Sequence, residues 1–246
     1  MVAHAVSDRR TEWFVPTWGP LKVQVLIGLL FLPYTGMVLA YTIIGSMLAE
    51  HIHWDRVGAI VVVYFFALGI GAHALDAVGS KGVKPWGTVF SNRSLWLLAL
   101  SLIVIAYAIL ISYMLRSTPL LSLLAVAEGF FLFAYNLEWF HGRFHNDAWF
   151  AVSWGSLPVL VGYILQTNRI SIAGLLVALS MGFLSLVEIK ASRPYKALKL
   201  SVAAMETKNE QREYLESFEL ILKSISFGVI VLGIGLLVWR ISSPTF

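Results

Sequence analysis

The sequence predicts an all-α fold, a polytopic membrane helix bundle, and three observations carry that expectation. Apolar residues come in uninterrupted blocks of about 20, the length that crosses a hydrocarbon core of roughly 30 Å. Of the 246 residues 58% are hydrophobic and only 13% are charged. The blocks are too long and continuous for barrel strands, and backbone groups in lipid must be hydrogen-bonded within the chain, which leaves helices. The chain contains no cysteine, which excludes disulfides, thiolate metal sites and thiol catalysis. The net charge of +4 is not read as a nucleic-acid footprint, because in a membrane protein the sidedness of charges matters more than their sum.

The elements follow in chain order within one integral membrane domain, 1–246. Residues 1–20 are mixed and polar, without the pattern of a cleaved signal peptide, and are expected to form a cytoplasmic N-terminal segment. About seven transmembrane helices are then expected, near 22–48, 57–76, 94–115, 119–140, 148–166, 170–190 and 218–240. The loop at 77–93 is rich in Gly, Ser and Pro and should be irregular. Residues 191–217 are polar, with charges spaced as on a surface helix; they are expected to lie along the membrane face or to extend the last span.

Basic residues set the expected orientation. Fourteen of them (Arg9, Arg10, Lys22, Lys81, Lys84, Arg93, Arg143, Lys190, Arg193, Lys196, Lys199, Lys208, Arg212 and Lys223) fall on the side of the N-terminus. Four (Arg56, Arg116, Arg169 and Arg240) fall on the other. The N-terminus is therefore expected in the cytoplasm and the C-terminus outside.

Ionisable side chains at membrane depth are costly and mark functional positions. Span 2 ends with His73 and Asp76; span 4 contains Glu128 and ends with Glu138, His141 and His145; span 6 ends with Glu188. With alternating topology, these ends share the cytoplasmic side and can meet in one site. His73 and Asp76 are three apart, hence on one helical face. Glu138 and His141 have the Glu-x-x-His spacing of di-metal carboxylate sites in helical bundles. Glu138 and His145, seven apart, differ by only about 20° around a helix axis, provided the helix continues through Gly142. Imidazole mixed with carboxylate suits iron, zinc or manganese better than magnesium, which prefers oxygen and retained water. His51 and His53 are read as interfacial side chains, Asp147 as a cap of span 5, and Arg143 alternatively as a positive-inside anchor. Glu128 is either a ligand or a lone buried carboxyl bonded to a neighbouring helix.

The layout resembles the UbiA superfamily of intramembrane prenyltransferases over roughly residues 20–195. Those proteins end their second helix with an Asp-rich motif, followed by an Arg-Pro-containing loop. Here the second span ends HALD and the loop reads KPWGTVFSNRSLWLLAL, with His73 and Asp76 at the family's aspartates and Lys84-Pro85 at its Arg-Pro. In YNLEWFHGRFHNDAWFAVSWGSLPVLVGYI, Tyr135 stands at the family tyrosine and His141 near its lysine, while Glu188 falls at the first position of the second Asp-rich motif. The resemblance implies a prenyl diphosphate held by magnesium. This chain departs from it in having fewer carboxylates, added histidines and fewer helices.

Two catalytic expectations result. The first is a membrane metalloenzyme with a UbiA-like fold, its iron (one ion or a di-iron pair; zinc or manganese as lesser alternatives) held by His73, Asp76, Glu138, His141 and Glu188, with His145 and Glu128 as further ligands. It would act as an oxidoreductase or hydrolase on a lipid, quinone or isoprenoid arriving from the bilayer, with Asp76, Glu138 and His141 as catalytic residues. The second is a prenyltransferase in which Asp76 and Glu188 hold magnesium and Lys81, Lys84 and Arg143 neutralise the diphosphate beside Tyr135. A non-catalytic role, as a subunit of a membrane complex or a homo-oligomer, is the third expectation.

Overall fold

The computed structural model describes residues 12–79, 89–203 and 209–243, with 200–203 described by backbone alone. All secondary structure among them is helical. The helices are α1 (Leu21–Leu29), α2 (Leu32–Met47), α3 (Trp54–Gly79), α4 (Asn92–Arg116), α5 (Leu121–Asn136), α6 (Asp147–Thr167), α7 (Ile172–Ala203) and α8 (Asn209–Ser242). Six helical stretches are long and apolar enough to cross a membrane: α1 with α2, then α3, α4, α6, α7 and α8. The expected fourth span is α5, whose 16 residues fall short of the ~20 a full crossing takes.

The first span is broken where its sequence demands it. Pro33 has no N–H to donate and its ring crowds the carbonyl four residues back. Phe31 accordingly takes a left-handed backbone, φ 44°, between α1 and α2. The hydroxyl of Thr35 donates to the Leu30 carbonyl at 2.6 Å, satisfying an acceptor that the break releases. The break turns Phe31 and Tyr34 toward the bundle interior, which matters for the site below.

Helix α4 shows how the lipid boundary is written. Leu95, Ala99, Ile103, Ala106 and Leu110 are buried at helical spacing, while Leu97, Leu100, Val104, Ile111 and Leu115 are exposed and apolar. An apolar exposed face is what lipid wants, and the small residues on the inner face let α3 pack close. The α2–α6 crossing is closer still: a Cβ at Gly45 would strike the Val159 carbonyl, and one at Gly162 the Thr42 carbonyl. Ser46 seals that crossing by donating to Thr42 O at 2.8 Å and approaching Gly162 O at 3.3 Å.

Two helices contain π-helical stretches, Phe65–Ala72 in α3 and Ala151–Ser156 in α6. Such stretches insert extra residues into a helix and frequently mark functional sites. The first delivers His73 at its end and the second carries Trp154. In α6 the stretch stands just before Pro158, which removes a helical donor.

The polar segment 191–217 divides between two helices. Residues up to Ala203 continue α7, with Pro194 inside the helix, and residues from Asn209 begin α8. At 34 residues α8 is about 51 Å long, well beyond the hydrocarbon thickness, so the extension is an upright continuation of the last span. At the opposite end of the bundle, Arg56 donates to the Leu165 and Gln166 carbonyls at 2.8 and 3.1 Å, closing the C-terminus of α6.

Candidate functional site

One end of the bundle holds a cavity of about 200 Å³. It is bounded by the start of α2, the ends of α3 and α5, the start of α6 and the later half of α7. Its polar wall comprises His73, Asp76, Tyr135, Asn136, His145, Glu188, Ser192, Arg193 and Lys196; its aromatic wall comprises Phe31, Tyr34, Phe150 and Trp154. The expected meeting of spans 2, 4 and 6 thus occurs, and His73, Asp76, Tyr135, His145 and Glu188 share this cavity.

Each group is placed by local chemistry. The His73 ring stacks on Phe31 with centroids 4.5 Å apart and faces Trp154 at 5.4 Å, so the imidazole is held between two aromatic rings. The end of α3 can approach α5 closely because Gly79 meets the Asn136 carbonyl, where a Cβ would clash. His145 stacks on Tyr135 at 4.5 Å, and its Nδ1 lies 3.0 Å from the Tyr135 carbonyl, one of the last carbonyls of α5. A carbonyl only accepts, so Nδ1 carries the proton in this contact and Nε2 is the acceptor nitrogen. On α7, Glu188, Ser192 and Lys196 are four apart and form one stripe, with Arg193 beside it.

The backbone after α5 corrects part of the expected ligand set. The helix stops at Asn136 rather than continuing through Gly142, and Glu138, Phe140, His141 and Gly142 all have positive φ. Glu138 and His141 therefore do not share a helical face with each other or with His145. Neither lines the cavity, and His141 is exposed. Arg143 is exposed outside it as well. Glu128 lies in a separate, mostly apolar cavity of about 30 Å³ between α3, α4 and α5, where it accepts a hydrogen bond from the Tyr64 hydroxyl at 2.7 Å. Of its two expected readings, the structure places it as a carboxyl bonded to a neighbouring helix. Lys81 and Lys84 lie outside the described residues.

Asp147 does not cap α6. The cap is Asn146, whose side chain accepts from the Trp149 N–H at 3.1 Å. Asp147 instead forms ion pairs with Lys190 at 2.7 Å and Arg193 at 2.9 Å, tying the start of α6 to α7 beside the cavity. Arg193 and Lys196, which the sequence reading treated only as orientation signals, are cavity residues. The available sign for Lys196 was its place eight residues, two steps of four, beyond Glu188.

Among the described residues no three His, Asp or Glu side chains are grouped to hold a metal ion. Magnesium has a different requirement: it keeps several waters and is commonly held by one or two carboxylates plus substrate phosphates. Asp76, from α3, and Glu188, from α7, both line the cavity. No protein-family model, curated protein or solved structure matches the chain.

Proposed function

We propose that the cavity receives the charged head of a membrane isoprenoid, a prenyl diphosphate, and that the protein transfers the prenyl group to an acceptor. The observation that carries this reading is the composition of one cavity: two carboxylates, two cations and a wall of aromatic faces. Arg193 and Lys196 bind diphosphate oxygens, the guanidinium through its planar donors and the ammonium as a point charge. Asp76 and Glu188 would hold magnesium, which when bound neutralises the charge that grows on the departing diphosphate.

The aromatic wall serves the other half of the substrate. Phe31, Tyr34 and Trp154 exclude water and present ring faces to the positive charge that develops on the allylic carbon as its C–O bond breaks. The electron pair of that bond leaves with diphosphate, and the allylic carbon bonds to a nucleophilic atom of the acceptor. The proton released by the acceptor passes to Nε2 of His145, whose ring is oriented by the Tyr135 carbonyl. By the positive-inside rule this end of the bundle faces the cytoplasm.

The test is diphosphate release from prenyl diphosphates of several chain lengths by the detergent-purified protein. Release should require magnesium and should be lost in Asp76→Asn and Glu188→Gln. No release at any chain length, together with one or two tightly held iron ions per chain by mass spectrometry, would overturn this reading in favour of the iron enzyme.

A further inference from the structure

A second polar cluster lies where the N-terminal segment meets the extensions of α7 and α8. Glu12 is 8% exposed and pairs with Lys199 at 3.2 Å. Lys199 also donates to the Tyr195 hydroxyl at 2.9 Å, and that hydroxyl donates to Glu219 at 3.2 Å. Lys223 completes the chain by donating to Glu219 at 2.6 Å. Three separate parts of the sequence are thereby tied together, and the tie fixes the residues that follow Glu12. The Val15 N–H donates to the Glu12 carbonyl at 2.9 Å, closing a turn that carries Phe14 inward.

Phe14 packs on Phe31 at 5.2 Å and on Tyr34 at 5.8 Å. Both of those residues wall the head-group cavity, and Phe31 in turn stacks on His73. Phe31 holds a left-handed backbone that a bulky residue adopts only when its surroundings impose it, and such positions concentrate at ligand clamps and switches. The aromatic contacts therefore run without a gap from the N-terminal tie to the cavity wall.

We propose that residues 12–15 form a strap that sets the shape of the cavity: tied down by Lys199, Phe14 holds Phe31 against His73, and releasing the tie opens that wall. The strap is a positioning element, since none of its residues lines the cavity. Its meaning for function rests on the head-group reading above, but its mechanics do not.

Acylation of imidazoles by diethyl pyrocarbonate, mapped by mass spectrometry on the intact detergent-purified chain without ligand, tests it. Lys199→Met releases the tie and Phe14→Ala removes the packing. In each, His73 should label about ten-fold faster, the factor equivalent to about 1.4 kcal/mol. His51 and His53, exposed at the far end of the bundle, should label as in the unmodified protein. Unchanged His73 labelling in either variant overturns the strap. So does an equal rise at His51 and His53, which reports a loosened bundle. Strap-dependent labelling in a protein that binds no prenyl diphosphate would sink the head-group reading and leave the strap standing.

Discussion

His141 and His145 are four residues apart and chemically identical, yet they have different surroundings. His145 is stacked on Tyr135 in the cavity, while His141 is exposed on a left-handed backbone. If His145 accepts the acceptor's proton, His145→Ala should slow prenyl transfer by about 10²-fold or more, with diphosphate binding retained, and His141→Ala should leave the rate unchanged. Steady-state rates of both variants decide it; equal losses would remove His145 from its role. The residue types were legible in the sequence because ionisable side chains at span ends are rare enough to be conspicuous, and His73, Asp76, Tyr135, His145 and Glu188 all reach the cavity. Glu138 and His141 were misread because their spacing means proximity only on a helix. Three non-glycine residues with positive φ, Glu138, Phe140 and His141, end that assumption, and no sequence pattern announces such a run. Glu128 has its own expected outcome. Tyr64→Phe leaves a buried carboxyl without its donor and should destabilise the protein by about 1–3 kcal/mol, whereas adding Glu128→Leu should recover most of the loss. Thermal unfolding in detergent, with the double variant no more stable than the single, would contradict that account.

At the level of elements, the close crossing of α2 and α6 depends on absent side chains. Gly162→Leu would force a side chain into the Thr42 carbonyl and push the helices apart, with an expected loss of about 3 kcal/mol or more, read as a fall in the unfolding midpoint. A stable variant would mean that the crossing is looser than described. Apolar blocks located the helices well, but their ends were set by features that hydropathy does not weigh. Span 6 was expected to stop near residue 190, where Ser192, Arg193 and Pro194 interrupt the apolar run; the helix instead continues to Ala203. Proline removes one helical hydrogen bond there, and charges are no obstacle once the helix has left the hydrocarbon. The extra length is functional under the proposal, because it carries Arg193 and Lys196 to the cavity. Span 4 erred in the opposite direction: the helix ends at Asn136, and its aromatic continuation packs back as a loop, with Phe144 edge-on to Phe130 at 4.9 Å.

Across the whole molecule, polar side chains gather at the two ends of an apolar bundle, with the Glu128–Tyr64 pair enclosed among apolar residues as the exception already described. The cavity and the Glu12–Lys199 pair lie at one end, and the Arg56 contacts lie at the other. Because the chain has no cysteine, single cysteines report sidedness without background. In oriented vesicles, Ser91→Cys should react with an impermeant maleimide from the cytoplasmic face and Ser117→Cys from the outer face; the reverse pattern would invert the topology. Fourteen basic residues against four carry the expected orientation, whereas nothing in the sequence announced the shape of the cavity. That shape depends on the break at Phe31 and on two π-helical stretches, which emerge only when the helices pack. The most direct measurement of the central claim is equilibrium binding of an unreactive prenyl thiodiphosphate to the purified protein. Saturable binding that requires magnesium and disappears in both Asp76→Asn and Glu188→Gln is the predicted result. No binding with magnesium present, or equal binding in both variants, would contradict it.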